Sequence, residues 1–437
     1  MNFRIHRGTD EIGGNCIEIS TKKTRIIFDF GMPLVDIDKK TPYDSFKYKD
    51  LSIKELIKVK ILPKVTGLYP HSKKIINALV ISHPHMDHFG FANYINKKIP
   101  IYIGKAANEL INISEIFTPS CVKIDNPVYY NHKQKFTIGD IHITPFLNDH
   151  SAFDAYSFLI EADNKKIFYT GDFRGHGRKK SLFEDLINFP PSNIDYLMME
   201  GTNINKSYKS KSENDITEEL INIFSIGNKI NFVYQAGQNI DRIVSVYKAC
   251  IKTNKTLVID IYIAYILSKL VETVNVKLPY PSDTFPKIKV LFSHPLSSML
   301  KNKLGIEELY KFSKYKITTE QIDENYSDIT MIVRPSLEKH IKKLINIDKG
   351  NLIYSLWSGY KNQGTTKSFL AYLINKRLFK CYDVHSSGHA DLDDLKLLVK
   401  GLNPKYIVPI HTFSKKKYKQ LFKKDIINID EKNTVLC

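Results

Sequence analysis

The chain has few cysteines and no long apolar run. Its 437 residues include five widely separated cysteines without a Cys-x-x-Cys pair: Cys16, Cys121, Cys250, Cys381 and Cys437. This spacing argues against a disulfide framework and a cysteine-ligated zinc site, and it favours a reducing cytoplasm. No apolar run approaches the length that spans a bilayer, and residues 1–7 lack the apolar core of a signal peptide. We therefore expect a cytoplasmic protein with no membrane partner.

Acidic residues are scarce relative to basic ones. The chain has 64 Lys and Arg residues against 46 Asp and Glu residues, so its formal net charge is +18. Such an excess attracts polyanions and favours nucleic acid as a partner. A lysine-rich surface in a protein of biased composition would give the same charge. The partner must therefore be argued from the chemistry of a site.

The order of the predicted elements indicates two kinds of domain. Residues 1–204 contain short strands separated by Gly, Asn and Asp turns, whereas residues 205–382 alternate apolar strands with helix-length segments. That alternation is typical of a parallel sheet. Residues 383–437 return to residues of the metal-ligand type. Because such residues flank a central block that has none, the central block is predicted to be an inserted α/β domain.

The most informative segment is the HPHMDH turn at residues 83–88. It follows an apolar run, residues 78–81, that predicts a buried strand. Imidazole and carboxylate are the ligands of a hydrolytic Zn²⁺, with Mn²⁺ or Fe as alternatives. Four ligand-type side chains in one turn crowd a single tetrahedral site. They are better divided between two adjacent metals, the arrangement that drives in-line displacement at phosphorus.

Other ligand-type residues recur at the ends of predicted strands, namely Asp29, His150, Asp172 and His411. Any one of them alone is more often a capped turn or a satisfied core histidine. Strand ends converge at one edge of a sheet, where binding residues concentrate. Their recurrence at the same structural position therefore predicts that they join the 83–88 turn.

In combination these motifs resemble the metallo-β-lactamase superfamily and, within it, the β-CASP nucleases of the ribonuclease J-like type. The matching segments follow the family's order: FDFG at 28–31, the 83–88 turn, His150, GDF at 171–173, EGTN at 200–203, HSSGHA at 385–390 and IHT at 410–412. The resemblance implies a metallo-β-lactamase αββα sandwich with an inserted β-CASP α/β domain. The first domain would occupy residues 1–204 and 383–437, and the insert residues 205–382.

The resemblance also implies a role for each motif residue. The expected metal ligands are His83, His85 and His150 for one Zn²⁺, and Asp87, His88 and His411 for the other, with Asp172 bridging both. Asp29 would orient a ligating imidazole by a hydrogen bond. The two metals would activate a hydroxide, and Asp87 would act in catalysis as a ligand. His389 would protonate the leaving 3′-oxygen or stabilise the pentavalent state. Glu200 would hold His389 in position.

Residues beside the expected ligands are candidates for binding substrate phosphate. By resemblance, His385 and Ser387 would contribute to a phosphate pocket in the Ser-Gly turn before His389. Arg174 and Arg178 follow Asp172 closely, which places basic groups near the metals, although a solvated basic loop would have the same sequence. The lysine run at residues 415–417 would either follow a phosphate backbone or form a solvated helix face.

The resemblance implies a metal-dependent ribonuclease, a 5′ exonuclease with endonuclease activity as a side reaction. The turn after His411 is Thr412-Phe413, where ribonuclease J has Gly-Glu, so the mode of cleavage stays open. Single-stranded RNA is the expected partner. DNA stays an alternative, because contacts to the 2′-hydroxyl cannot be read from sequence. A homodimer also stays open, since no motif supports it.

Three other classes explain less of the sequence. A lactonase-like or thioesterase-like hydrolase of small esters would explain the metal site but neither the insert nor the charge. A redox di-iron scaffold usually carries Glu at the second ligand position, where this chain has His85. A nucleic-acid-binding protein without enzymatic activity would be expected to have lost ligands, and none is missing here.

Overall fold

The structure is a computed structural model that describes residues 1–38, 41–70, 72–73, 76–118, 122–347, 349–428 and 434–437. In these ranges no helix is long and apolar enough to cross a membrane. Four of the five cysteines have free thiols, and Cys121 lies outside the described residues.

The chain divides into two compact units. Unit 1 comprises Met1–Asn112, Ser120–Lys209 and Gly388–Cys437, and unit 2 comprises Ile113–Pro119 and Ser210–Ser387. The units therefore change after residues 209 and 387, whereas the boundaries predicted from sequence follow residues 204 and 382. The assignment of domain names to those predicted ranges stays a prediction.

The described residues form 21 strands and 14 α-helices. The strands are β1 (Asn2–Arg7), β2 (Cys16–Ser20), β3 (Arg25–Phe28), β4 (Ala78–Val80), β5 (Ile101–Gly104), β6 (Val128–Tyr130), β7 (Phe136–Ile138), β8 (Ile141–Leu147), β9 (Tyr156–Ala162), β10 (Lys165–Tyr169), β11 (Tyr196–Glu200), β12 (Ile230–Tyr234), β13 (Thr256–Asp260), β14 (Ile288–Leu291), β15 (Lys316–Ile317), β16 (Ile329–Val333), β17 (Gly350–Tyr354), β18 (Lys380–Asp383), β19 (Tyr406–Ile410), β20 (Asp425–Ile426) and β21 (Thr434–Leu436). The helices are α1 (Ile53–Lys58), α2 (Met86–Phe89), α3 (Lys105–Phe117), α4 (Lys180–Asn188), α5 (Glu213–Phe224), α6 (Ile240–Lys252), α7 (Ile261–Val274), α8 (His294–Leu304), α9 (Ile306–Tyr310), α10 (Thr319–Glu324), α11 (Glu338–Ile341), α12 (Gly364–Ala371), α13 (Leu392–Leu402) and α14 (Lys415–Leu421).

Unit 1 contains two seven-stranded sheets packed face to face. Their strand orders are β21-β1-β2-β3-β4-β5-β6 and β20-β19-β11-β10-β9-β8-β7. Side chains alternate along each strand, so Phe158 and Ile160 of β9 enter the core between the sheets, where Phe158 packs edge-on against Phe28 of β3. Leu159 points the other way, into a cluster with α4, α13 and α14. A further cluster joins the opposite outer face to α1 and α3, and the predicted αββα sandwich is thereby confirmed.

The parallel parts of both sheets bring polar residues to one end of the strands. In the first sheet, β3 and β4 pair in parallel with Phe28 opposite Val80, so Asp29 and the 83–88 turn leave the sheet side by side. In the second sheet, β10, β11 and β19 are parallel neighbours, and Glu200 lies opposite Ile410. The residues that follow these strands therefore emerge at neighbouring positions of the edge.

Unit 2 is built on a seven-stranded sheet in which every pair is parallel. Its order is β15-β14-β13-β16-β12-β17-β18. All residues of β12, β16 and β17 are buried, as expected for parallel strands that are covered on both faces. The inserted α/β domain expected from the sequence is thus present as a parallel α/β unit.

A buried ion pair joins two helices of unit 2. Arg242 of α6 is fully buried and its guanidinium contacts both carboxylate oxygens of Glu213, at 3.0 and 3.3 Å. We predict that Glu213→Ala lowers the free energy of unfolding of unit 2 by about 3–5 kcal/mol, because the substitution leaves a buried charge without its partner. Denaturant unfolding measures this loss. Replacing Arg242 by Met in the same chain should recover part of it, and a double variant as unstable as Glu213→Ala alone would contradict the prediction.

Candidate metal centre

The backbone around the 83–88 turn is tightly constrained. Asp29 and His411 both adopt left-handed backbone conformations, with φ of 56° and 49°. Residues other than glycine rarely do so, and the strain is typical of functional sites. Gly31 packs so closely on the turn that a Cβ there would lie 1.6 Å from the Asp87 carbonyl oxygen. The 83–88 turn is therefore held in place by backbone contacts as well as by side chains.

Three imidazoles form the first cluster, which consists of His83, His85 and His150. One nitrogen from each ring lies within 4.8 Å of the other two, and His150 Nε2 is 3.2 Å from His85 Nδ1. Burial, reinforced by neighbouring imidazoles, holds the pKa of His83 and of His150 well below the ordinary value and also lowers the pKa of His85. The rings are therefore neutral at neutral pH, which is the form that ligates metals.

Two carboxylates and two imidazoles form the second cluster, which consists of Asp87, His88, Asp172 and His411. Asp172 Oδ2 lies 3.2 Å from His88 Nε2 and 3.7 Å from His411 Nε2. It is also 3.8 Å from His83 Nε2, so Asp172 touches both clusters. Burial raises the pKa of Asp172, but the imidazoles of His411 and His88 outweigh it and hold that pKa well below its usual range.

A second layer of hydrogen bonds fixes the orientation of four rings. The partners of their Nδ1 atoms are Ser82 Oγ for His83 (3.0 Å), Asp29 Oδ2 for His88 (2.8 Å), the Gly388 carbonyl for His150 (2.5 Å) and Thr202 Oγ1 for His411 (2.8 Å). Asp29 is itself held by the backbone N–H of Ser82 and by the Tyr169 hydroxyl. The Nε2 atom of each ring is thereby directed toward the clusters, as in metal sites.

The donor atoms of these clusters test whether a metal fits. His83 Nε2, His88 Nε2 and both carboxylate oxygens of Asp172 are buried and have no hydrogen-bond partner among the described residues. Each such group costs about 1–3 kcal/mol when it is left unsatisfied. Imidazole nitrogen and carboxylate oxygen are ligands of divalent cations, and a cation would satisfy all four atoms at once. The residues fit a divalent metal.

His389 lies at the border of the second cluster. Its Nδ1 is 3.1 Å from Glu200 and 3.6 Å from Asp172, and with these residues and His411 it forms a further ligand-type set. Burial lowers the pKa of His389, but Glu200 and Asp172 outweigh it and raise that pKa to about 9. Glu200 is buried and also accepts the backbone N–H of Phe173 at 3.0 Å. His389 is therefore held beside the clusters by a fixed carboxylate.

Two sequence families match the chain. A family described as "Beta-lactamase superfamily domain" matches residues 65–219. A second, described as "Zn-dependent metallo-hydrolase RNA specificity domain", matches residues 378–430, which include His385, His389 and His411. The chain resembles the ribonuclease J-like, β-CASP branch of the metallo-β-lactamase superfamily. The resemblance predicted from the motifs is thus confirmed.

Curated relatives named for ribonuclease J match most of this chain. Ribonuclease J of Helicobacter pylori (strain ATCC 700392 / 26695) is 25% identical over 92% of this chain. An RNase J-like protein of Methanocaldococcus jannaschii is 23% identical over 83% of this chain and 78% of its own length. The chain spans 55% of the length of the Helicobacter pylori relative. A crystal structure of a protein of unknown function from Enterococcus faecalis V583 has a TM-score of 0.77, with 20% identity and 99% coverage of both chains, and so shows the same fold.

The four expected substrate contacts differ in burial and in the unit to which they belong. Arg174 is fully buried and its Nε lies 3.3 Å from Asp149, so its guanidinium forms an ion pair inside unit 1. Arg178 is half-buried in the same loop. His385, which is exposed, and Ser387, which is half-buried, belong to unit 2.

Sequence reasoning assigned no role to several residues that hold the site. Thr202 Oγ1 lies within hydrogen-bonding distance of Nδ1 in both His411 and His389, and Asn203 donates to the His389 carbonyl at 3.1 Å. Ser82 contacts Asp29 and two ring nitrogens. The signal for Thr202 and Asn203 was their place in the EGTN segment. The only signal for Ser82 was its position directly before His83, the first histidine of the turn.

Gly31 provides a test of the backbone constraint. We predict that Gly31→Ala costs about 1–3 kcal/mol of stability, because the new methyl group displaces the backbone of Asp87. The displacement should also weaken metal binding. Thermal unfolding with and without a chelator measures both effects, and a variant with the stability and metal content of the wild type would contradict the prediction.

Proposed function

We propose that this chain is a metal-dependent ribonuclease that hydrolyses RNA phosphodiesters with two Zn²⁺ ions. One observation carries the proposal: a cluster of three imidazoles and a cluster of imidazoles and carboxylates meet at Asp172, whose buried oxygens have no hydrogen-bond partner among the described residues. Relatives named ribonuclease J support an RNA substrate, and the net charge of +18 suits a polyanion. Mn²⁺ is the alternative metal.

In this proposal His83, His85 and His150 would hold one ion, Asp87, His88 and His411 the other, and Asp172 both. Asp29, which contacts His88 Nδ1 at 2.8 Å, would keep that ring oriented so that its Nε2 could bind a metal. When bound, a metal pair lowers the pKa of water and neutralises charge on phosphate oxygens.

His389 would deliver a proton to the leaving 3′-oxygen. Its position beside Asp172 and its contact with the buried Glu200 support this role. The products would be a 5′-phosphate and a 3′-hydroxyl. We propose 5′ exonuclease action with endonuclease cleavage as a side activity, and we retain His385, Ser387 and Arg178 as candidate phosphate contacts. Arg174 is not among these candidates, because its buried guanidinium forms an ion pair with Asp149.

The substrate and the cellular context are further parts of the proposal. Single-stranded RNA is the proposed substrate, and DNA is the second candidate because the metal chemistry acts equally on either phosphodiester. The scattered cysteines favour the cytoplasm. A homodimer stays open, since no motif of the chain supports it.

Digestion of matched oligonucleotides tests the proposal. Single-stranded RNA and DNA of one sequence, each with a 5′-monophosphate or a 5′-hydroxyl, are incubated with the zinc-loaded chain and with a chelator-treated sample. Stepwise loss of nucleotides from 5′-phosphorylated RNA, abolished by the chelator and restored by Zn²⁺, is the expected result. Equal cutting of DNA would move the substrate to nucleic acid in general. No metal-dependent cleavage of either polymer would contradict the proposal.

A further inference from the structure

A surface cavity of unit 1 is lined by residues from the loop that follows His411. Its volume is about 460 Å³, and its lining includes Asp10, Asn205, Phe413 and the lysines at 415–417. None of these residues belongs to the metal clusters, and none is His389 or Glu200. The proposed mechanism of hydrolysis therefore assigns no role to this cavity.

The loops that line this cavity also hold His411. The Gly8 carbonyl, in the same loop as Asp10, accepts the His411 backbone N–H at 2.7 Å. Thr202 lies in the loop that leads to Asn205 of the cavity lining, and its Oγ1 is 2.8 Å from His411 Nδ1. Phe413 follows His411 by two residues, so their Cα atoms are separated by at most two steps of ~3.8 Å. The cavity thus adjoins the second metal cluster.

The cavity has an excess of positive charge. Lys415 forms an ion pair with Asp10 at 2.8 Å, which neutralises one lysine. Lys416 and Lys417 are exposed, and neither pairs with a carboxylate in the part of the chain that the structure describes. Two unneutralised ammonium groups on one surface favour an anion with more than one charge, such as a phosphodiester chain.

An exposed aromatic ring lies beside these lysines. Phe413 is 54% exposed, although the backbone on both sides of it is anchored. Thr412 donates its hydroxyl to the Gly201 carbonyl at 2.9 Å, and the Ser414 N–H donates to that hydroxyl at 3.1 Å. The Asn205 amide also donates to the Ser414 hydroxyl. A fixed, solvent-exposed ring next to cations is the combination that binds single-stranded nucleic acid by base stacking.

We infer that this cavity is a nucleotide-binding subsite for the single-stranded RNA substrate, close to the cleaved phosphodiester. A base stacks on Phe413, and Lys416 and Lys417 bind the adjoining phosphates. The inference rests on the proposed ribonuclease function, because the RNA that it places in the cavity is the substrate of that function.

Binding of a 3′-fluorescein-labelled (U)12 RNA tests the charged half of the subsite. Fluorescence anisotropy is measured on the full, zinc-loaded chain carrying His389→Ala to slow cleavage. The double variant Lys416→Glu/Lys417→Glu is compared with the double variant Lys22→Glu/Lys23→Glu. Lys22 and Lys23 are exposed and precede β3, at the end of that strand opposite to Asp29. We expect at least a tenfold rise in Kd for the first pair and less than a twofold rise for the second. Neutralisation of the first pair by Gln should reduce the salt slope of log K by about 1.4, since each phosphate contact contributes about 0.7 on single strands.

Phe413 variants test the aromatic half. Phe413→Ala should weaken binding about tenfold, whereas Phe413→Tyr, which keeps the ring, should leave it unchanged. Equal losses for both lysine pairs, or no loss for Phe413→Ala, would overturn the inference. If the wild-type chain cuts RNA but these shifts are absent, the subsite alone fails. If the shifts occur but the wild-type chain cuts no RNA, the ribonuclease function fails and the binding site stands.

Discussion

Replacing Asp172 by Asn is expected to reduce RNA cleavage by about 10³–10⁵-fold. Asp172 belongs to the second cluster and also contacts the first, since its Oδ2 lies 3.2 Å from His88 Nε2 and 3.8 Å from His83 Nε2. The amide has nearly the same volume but lacks the negative charge that would hold two cations close together. The zinc content should therefore fall below that of the wild type, as measured by elemental mass spectrometry on the purified chain.

Asp125→Asn is the matched control for this variant. It makes the same chemical change on an exposed side chain of unit 1, and it should leave both cleavage and zinc content unchanged. Circular dichroism checks that Asp172→Asn remains folded. A folded Asp172→Asn chain with wild-type zinc content and wild-type cleavage would contradict the assignment of this residue.

Replacing His389 by Ala is expected to lower kcat by about 10²–10⁴-fold with the zinc content unchanged. His389 contacts Glu200 at 3.1 Å and borders the second cluster, so its loss would remove the proposed proton donor and leave the expected metal ligands in place. Glu200→Gln should lower kcat by a smaller factor, because the histidine remains but loses the carboxylate that holds it. The two residues act as one unit, so the double variant should be no slower than His389→Ala.

Zinc content decides between two roles for His389, because it also belongs to a ligand-type set with Asp172, Glu200 and His411. A proton donor leaves the zinc stoichiometry unchanged when it is removed, whereas a ligand does not. Loss of one zinc ion from His389→Ala would contradict the role proposed here. Strictly additive losses in the double variant would contradict the coupling with Glu200.

Much of the site could be predicted because its residues follow strands. The 83–88 turn, Asp172 and His411 each come after a short apolar run, and parallel strands deliver such residues to one edge of a sheet. The prediction that these residues meet needs only local patterns and the geometry of parallel pairing. The αββα sandwich, in contrast, was implied by the resemblance of the motifs to the metallo-β-lactamase superfamily.

The residues that orient the histidines could not be predicted in this way. Thr202 and Ser82 are short hydroxyls without a distinctive spacing, and the Gly388 carbonyl has no signature in the side-chain sequence. Arg174 illustrates a different limit of prediction from sequence. Its place two residues after Asp172 suggests a substrate contact, but proximity along the chain does not fix the direction of a side chain. The structure turns it inward to Asp149.

Titration of zinc into the chelator-stripped chain tests the central claim most directly. Initial rates of cleavage of a 5′-phosphorylated single-stranded RNA are recorded against the molar ratio of Zn²⁺ to protein. A two-metal ribonuclease should show little activity below one equivalent and reach its maximum near two, with 5′-phosphate and 3′-hydroxyl products. Full activity at one equivalent would contradict the two-metal site, and no cleavage at any ratio would contradict the ribonuclease itself.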